Sequence, residues 1–337
     1  MPSFLEFLGQ IWDDKMLLLS VLPAAALMLV NGWTDAPVAI ASVIRVGAMK
    51  LRSAVLMAAV CNFAGATAML GYGSRVAVSV YEIAGLSWEV QNASAALTAA
   101  MTTTVLWALV ALYFGLPTSE SHALLAALSG AAVNLCGISA LNGEQWLVVA
   151  AGLLLSTVPV IFAANKLSAV LMHSNISETQ FKRYQILGAA LSSFAHGAQD
   201  GQKFAGVFTV AAVLASKNHL HEVTVPIWTA AISALLISLG MLMGGKKIIK
   251  SVCNLASEKP SANFAADLAA GGTLVVLSVL GVPVSTTHAK TMALIGAGGN
   301  VAKVKTTLLA MVSAWLLTFP VCAVVGYLLT AMFKGLL

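Results

Sequence analysis

The sequence predicts an all-α integral membrane protein made of two inverted repeats of 5+5 hydrophobic segments, with two re-entrant helical hairpins. Three observations lead to this fold class. Of the 337 residues, 59% are hydrophobic and only 9% are charged, and the mean hydropathy is +0.90. Ten long apolar segments follow one another along the chain. Two kinds of polar motif occur once in each half.

The low charge content excludes an ordinary soluble domain, in which about a quarter of residues are charged. Runs such as 144–164 and 305–333 exceed the roughly 20 apolar residues that a helix needs to cross the hydrocarbon core. They lack the alternation of a membrane β-barrel, so the spans are predicted to be helical. Net charge is +5, but the cationic residues lie in short loops, which indicates orientation in a membrane rather than nucleic-acid binding. We therefore expect a multi-pass protein of the cell membrane in contact with lipid.

Polar or charged stretches separate the ten segments. The first five lie at about 16–45, 53–73, 93–115, 119–139 and 144–172. The second five lie at about 184–216, 225–243, 262–281, 285–303 and 305–333. Because five is an odd number, the second repeat (173–337) should run through the membrane opposite to the first (1–172), the two forming one domain. With both termini outside, inner loops carry twelve Lys and Arg residues and outer loops four, as the positive-inside rule requires.

Both kinds of motif recur at nearly the same offset. The two P-x-S-x-[ST]-H stretches begin at Pro117 and Pro283, 166 positions apart, and Asp35 and Asp200 are 165 positions apart. Inverted repeats with polar interruptions are typical of secondary transporters, which bind their substrate where the repeats meet near the midplane. Nothing resembles a channel filter, and the enzyme motifs HExxH and GxSxG are absent. A transporter is therefore predicted, and no enzyme activity or cofactor is expected.

The aspartates lie in polar stretches at 31–42 and 195–207, each inside a long apolar segment. Irregular backbone at membrane depth is tolerated only against protein or a wet cavity. A buried aspartate there costs several kcal/mol unless it has a partner. Both stretches are predicted to break their helices, with Asp35 and Asp200 binding a cation or carrying a proton. Helix capping by the aspartates is the alternative.

The stretches 117-PTSESHA-123 and 283-PVSTTHA-289 are predicted to start helices. Proline disfavours helix just before it, and Ser and Thr are preferred N-caps. A helix N-terminus offers free N–H donors and partial positive charge, so two such ends would surround an oxyanion. Segments 93–139 and 262–303 are interpreted as re-entrant hairpins with these tips, and pairs of full spans are the alternative. Three histidines are expected to support the site rather than bind substrate directly: His122, His288 and His196.

Together these motifs resemble the inorganic phosphate transporter (PiT) family, in order and spacing over essentially the whole chain. The stretch 283–289 matches the family's P-V-S-T-T-H-A in full, whereas 117–123 carries Glu120 among the hydroxyls. The stretches 32-GWTDAPVA-39 and 196-HGAQDGQK-203 keep the aspartate of the family pattern G-A-N-D-x-x-N-A but not its asparagines.

The resemblance implies a cation-coupled phosphate symporter with both termini outside and phosphate held between the two tips. The residues that would contact phosphate are Ser119, Ser121, Ser285, Thr286 and Thr287, with Glu120 beside them. The residues that would couple the cation are Asp35, Asp200, Thr34, Gln199 and Lys203. No metal site is expected other than one for sodium at the two aspartates, and a homodimer stays open.

The departures from the family pattern bear on the coupling cation. Four positions that hold asparagine in the family here hold Thr34, Val38, Gln199 and Lys203. Asparagine oxygens are good sodium ligands, whereas valine offers none and the Lys203 ammonium would pair with Asp200 in place of sodium. Coupling to protons rather than sodium is therefore predicted, carried by one of three carboxyl groups: Asp35, Asp200 or Glu120.

Glu120 also bears on the substrate. At neutral pH phosphate carries a proton that a carboxylate would accept, whereas sulfate carries none, and a site built around a hydrogen bond rejects an analogue that lacks it. Phosphate is therefore the predicted substrate, with sulfate or another oxyanion as the alternative. A non-transporting membrane scaffold or sensor of the same fold is a third interpretation.

Overall fold

The computed structural model describes residues 3–13, 15–69, 90–141, 143–215, 225–298 and 301–336. Those residues form thirteen α-helices. The first seven are α1 (Phe4–Asp13), α2 (Lys15–Thr34), α3 (Ala41–Arg45), α4 (Leu51–Ala68), α5 (Val90–Phe114), α6 (Glu120–Cys136) and α7 (Gly143–Met172). The others are α8 (Glu178–Ala215), α9 (Ile227–Leu242), α10 (Lys246–Cys253), α11 (Pro260–Leu280), α12 (Thr286–Gly296) and α13 (Val301–Lys334). Two 3-10 turns lie at Ala36–Ile40 and Ile138–Ala140.

The predicted all-α membrane architecture is confirmed. Each of the ten predicted segments contains a helix. Within the described residues, six helices are long and apolar enough to cross a membrane, and α9 with α10 is a further candidate, bent by 74°. Large apolar side chains such as Leu147, Leu187 and Leu316 are more than 60% exposed, as expected for a surface that faces lipid.

The two aspartate stretches differ from each other in structure. Helix α2 ends at Thr34, and Asp35 begins a 3-10 turn with Pro37 that leads into α3. The predicted break is therefore present there. The second predicted break, at 195–207, is wrong because α8 runs through it without interruption. This stretch has no proline, and the glycine face of α8 packs on α4, where a Cβ on Gly197 would lie 2.0 Å from the Asn62 carbonyl oxygen.

Both P-x-S-x-[ST]-H stretches join a long helix to a short one. After α5 and after α11 the chain turns at Gly115 and Gly281, both with positive φ, and then runs extended to Ser119 and Ser285. The helices that follow have 17 and 11 residues, so they are about 26 and 17 Å long, less than the roughly 30 Å of the hydrocarbon core. Each short helix packs against the long helix before it.

Helix packing is reciprocal between the two halves of the chain. Helix α6 packs on α13, and correspondingly α12 packs on α7. In the same way α2 packs on α9 while α8 packs on α4, and α2 packs on α5 while α8 packs on α11. The short helices and the aspartate segments of both halves are thereby brought to the middle of the molecule.

Close glycine contacts fix the crossing of α4 and α8. A Cβ on Gly65 of α4 would lie 2.0 Å from the Phe194 carbonyl oxygen of α8, so only glycine permits this approach, as is common between membrane helices. We expect Gly65→Ala to destabilise the fold by about 1–3 kcal/mol through overpacking. Gly272→Ala on α11, where an added Cβ meets no atom within 4 Å, is the matched control. Equal melting temperatures of the two purified variants would contradict this packing argument.

Candidate functional site

The site is built on the N-termini of α6 and α12. Ser119 caps α6 by accepting a hydrogen bond from the His122 backbone N–H at 3.3 Å, and Ser285 caps α12 by accepting one from the His288 backbone N–H at 3.3 Å. The pattern S-x-x-H therefore specifies the same cap twice. All the tip hydroxyl residues are buried: Ser119, Ser121, Ser285, Thr286 and Thr287.

The two tips lie against each other. The His122 and His288 rings are 5.1 Å apart, in an edge-to-face arrangement. The Lys203 ammonium of α8 bridges the tips, since it donates to the Ser121 hydroxyl at 2.8 Å and to the Val284 carbonyl at 2.6 Å. It also pairs with Asp200 at 2.6 Å. The predicted pairing of Lys203 with Asp200 is thus present, and its contact with both tips is a further finding.

Asp35 lies directly beside the second tip. Its carboxylate accepts hydrogen bonds from the Thr287 hydroxyl and, at 3.1 Å, from the Thr286 hydroxyl. Thr286 lies 3.5 Å from Asp200 as well. The two aspartates of the sequence repeat therefore meet at one threonine, although only one of them lies in a broken helix.

Glu120 faces the same centre from the first tip. Its Oε1 accepts from the Thr34 hydroxyl, whereas its Oε2 is buried with no hydrogen-bond partner among the described residues. Asn31, one turn before Asp35, donates to Asp200 at 3.2 Å. Asn31 lies in the polar stretch 31–42 but belongs to neither recurring motif, so it was not predicted as a site residue.

His196 is held in a defined orientation. The Asn62 amide donates to the Ala58 carbonyl at 2.8 Å, so its oxygen faces His196 Nδ1 at 2.6 Å. This contact requires a proton on Nδ1. The other ring nitrogen, Nε2, lies 3.2 Å from Asp200 Oδ2. Ligand atoms of Asp35, His196 and Asp200 all lie within 4.8 Å of one another, a grouping able to hold a cation.

Gln199 is placed differently from the other predicted coupling residues. Its side-chain oxygen accepts from the Ser278 hydroxyl at 2.5 Å, and its amide donates to the Val282 carbonyl at 2.8 Å. Both partners belong to the stretch where α11 turns towards α12. The hydrogen bonds of Gln199 thus hold this turn rather than the aspartates.

Charge is unbalanced at this centre. Asp35, Asp200 and Glu120 are at most 5% exposed, and the ammonium among them belongs to Lys203. Three carboxylates and one ammonium leave two uncompensated negative charges when all are ionised. Charges held at this depth are costly unless neutralised, so the arrangement calls for bound protons or metal cations.

A second buried ion pair lies outside this centre. Asp267 of α11 pairs with Lys290 of α12, and the two residues are at most 3% exposed. Asp267 was not predicted as a site residue, although an aspartate in the apolar segment 262–281 is the same signal that identified Asp35.

Comparison with known proteins identifies the family. The family model described as the phosphate transporter family matches residues 31–174 and 163–326. The chain belongs to the phosphate transporter family. It is 32% identical to a probable low-affinity inorganic phosphate transporter of Bacillus subtilis, over 93% of this chain and 96% of that protein. A protein of the same description from Rhizobium meliloti is 32% identical over 88% and 90% of the two chains.

The fold is also that of a solved structure. A protein titled the sodium-dependent phosphate transporter matches with a TM-score of 0.79 and 23% identity, covering 96% of this chain and all of that one. The predicted membership of the phosphate transporter family is therefore confirmed, as is the prediction of a multi-pass membrane protein that is not an enzyme.

Proposed function

We propose that this member of the phosphate transporter family imports inorganic phosphate through the cell membrane by symport with a cation, more readily a proton than sodium. The charge imbalance at the centre carries this proposal. Adding a phosphate dianion to a buried site that already has two excess negative charges is prohibitive unless cations enter with it. The named functions of the Bacillus and Rhizobium relatives support phosphate as the anion.

In this proposal the two capped tips form the phosphate site. The first turns of α6 and α12 supply N–H donors and partial positive charge. The Lys203 ammonium, which contacts both tips, supplies a full positive charge. The residues that would contact phosphate are Ser119, Ser121, Ser285, Thr286 and Thr287.

The architecture proposed for this transporter is the inverted repeat, with residues 1–172 and 173–337 as its halves and α5–α6 and α11–α12 as re-entrant hairpins. The reciprocal helix packing and the short helices after both tips support it. Alternate exposure of the centre to the two sides would then follow from rocking one half against the other.

Asp35 couples cation to anion in this mechanism. Thr286 and Thr287 donate to its carboxylate, so their hydroxyl protons are not free for phosphate. A proton or sodium ion on Asp35 neutralises the carboxylate and weakens both hydrogen bonds, so the two hydroxyls can turn to the anion. Cation binding thus precedes phosphate binding.

We place a proton position at His196, whose Nε2 lies beside Asp200 and has no hydrogen bond among the described residues. With Nδ1–H of His196 committed to Asn62, the contact between Nε2 and Asp200 at 3.2 Å is a hydrogen bond only if a proton lies between them. The Lys203 ammonium occupies another position beside Asp200 where sodium would otherwise bind. Both observations favour a proton as the coupling cation. The sodium dependence in the name of the solved relative describes that protein.

Uptake by purified protein in liposomes tests the proposal. Labelled phosphate is offered under a proton gradient and under a sodium gradient in turn, with excess sulfate as competitor. Accumulation driven by the proton gradient supports the proposal. Accumulation driven by sodium at fixed pH, unaffected by a pH gradient, would reverse the choice of cation. Uptake of neither anion would defeat transport altogether.

Glu120 is expected to set the preference for phosphate over sulfate. Its unpartnered Oε2 can accept the proton of hydrogen phosphate, which sulfate lacks. In Glu120→Gln the amide oxygen accepts from the Thr34 hydroxyl and an NH2 donor replaces Oε2. We therefore expect the ratio of phosphate to sulfate uptake to fall by about tenfold or more, since a site built on a hydrogen bond discriminates strongly. The measurement is competition between the two labelled anions. An unchanged ratio would remove Glu120 from substrate selection.

A further inference from the structure

The ion pair of Asp267 and Lys290 lies in a closed set of polar groups between α3, α8, α11 and α12. Lys290 donates to the Ser42 hydroxyl at 3.1 Å and the Ser192 hydroxyl at 3.4 Å, besides its contact with Asp267. The second oxygen of Asp267 accepts from Gln185 at 2.6 Å and from Ser42 at 3.0 Å. All five side chains are at most 4% exposed.

Stability does not account for this arrangement. Burying two charges costs about as much as their attraction returns, and a well-packed apolar pair is often as stable. An ionisable residue at membrane depth is instead a functional-site hypothesis. The groups around the Lys290 ammonium are oxygens. Oxygen is also the ligand atom that hard metal cations prefer.

The Gln185 side chain carries a further oxygen that is unused. The Gln185 amide lies against Asp267 through its nitrogen, while its Oε1 is fully buried and has no hydrogen-bond partner among the described residues. If the amide group rotated by about 180°, Oε1 would face the Asp267 carboxylate and a cation bound to it. With Ser42, Ser192 and both Asp267 oxygens, it would complete five side-chain oxygen ligands.

The set is also connected to the transport centre. A small cavity is lined both by Lys290 and Ser192 of the set and by Asp35, His196 and Thr286 of the centre, with Val38, Ala39, Ala270 and Leu274 completing its wall. An ion at the Asp267 set would therefore lie next to a cavity that the set shares with the centre.

We propose that the set of Asp267, Ser42, Gln185 and Ser192 is a monovalent-cation site whose occupant in this protein is the Lys290 ammonium. Charge decides the valence, because one carboxylate is neutralised by one positive charge and a divalent ion would leave an excess. The tethered ammonium keeps the site filled without an ion from solution. Removing the ammonium while leaving the space open should expose the site to sodium, potassium or lithium.

The test compares Lys290→Ala, which vacates the space, with Lys290→Met, which fills it without charge. Melting temperatures of the purified proteins are measured in lithium, sodium, potassium and choline chloride at equal concentration, with no phosphate present. We expect at least one small cation to raise the melting temperature of Lys290→Ala by about 3 °C or more over choline, as for saturation of a specific site. Lys290→Met and the parent should show smaller shifts.

The double variant Asp267→Asn/Lys290→Ala is the second control, since it has no charge to neutralise and should lose the ion response. Equal responses of the alanine and methionine variants would overturn the proposal. So would a Lys290→Ala protein that unfolds in every salt while the double variant folds, because an available cation should replace the ammonium. Neither readout uses transport, so the result is independent of whether phosphate is the substrate.

Discussion

Replacing Lys203 with methionine is expected to lower the initial rate of phosphate uptake at low phosphate by about 100-fold or more, because loss of a buried charged partner weakens binding by about 2–5 kcal/mol. Three contacts disappear together: those to Ser121, Val284 and Asp200. The two tips then lose the group that joins them, and the centre loses its positive charge. Uptake of labelled phosphate into liposomes is the measurement.

Loss of uptake through misfolding has to be separated from loss of the site. The double variant Asp200→Asn/Lys203→Met removes both charges and should fold more stably than Lys203→Met alone, because the Asp200 carboxylate is not left without its cation. It should still fail to take up phosphate, because the tips have no cation. Uptake by the double variant near the parental rate would mean that Lys203 only compensates Asp200 and does not serve the anion.

The sequence predicted the membrane class and the positions of the helices because composition and apolar length alone determine them. It also predicted both tip caps, since a proline followed by a hydroxyl at the start of a helix is a local signal. The aspartate segments look alike in sequence, yet only the one with Pro37 is broken. At 195–207 the packing of α8 on α4 outweighs the weak helix preference of three glycines, and this packing is not visible in one segment.

Contacts between distant segments were predictable only in part. The partner of Asp200 at Lys203 lies one helical turn away, so spacing predicted it. The partner of Asp35 on α12 and that of Thr34 at Glu120 are 252 and 86 positions away. These contacts could be predicted only from the assumption that the two tips meet. Asn62 holds His196 from α4, and no motif pointed to it.

Asp35→Asn is expected to uncouple transport from the cation gradient. A one-unit pH gradient supplies about 1.4 kcal/mol per proton, which corresponds to about tenfold accumulation of phosphate. The amide is permanently neutral, as the carboxyl group is with its proton bound, so its hydrogen bonds to Thr286 and Thr287 are weak without a cation. Accumulation driven by a pH gradient should therefore fall to equilibration, an inside-to-outside ratio of about one, since a coupled solute is needed for any other value.

Exchange of labelled for unlabelled phosphate should persist in the same variant, because exchange needs the binding site and its reorientation but no net cation flux. Glu258→Gln is the matched control, since its carboxylate pairs with Arg45 at the surface, with its side chain 81% exposed. Gradient-driven accumulation by Asp35→Asn at the parental level would exclude Asp35 as the cation carrier. If exchange were lost as well, the Asp35 carboxylate would be needed for phosphate binding. Its hydrogen bonds to the two threonines would then hold the tip in the conformation that binds phosphate rather than in one that blocks it.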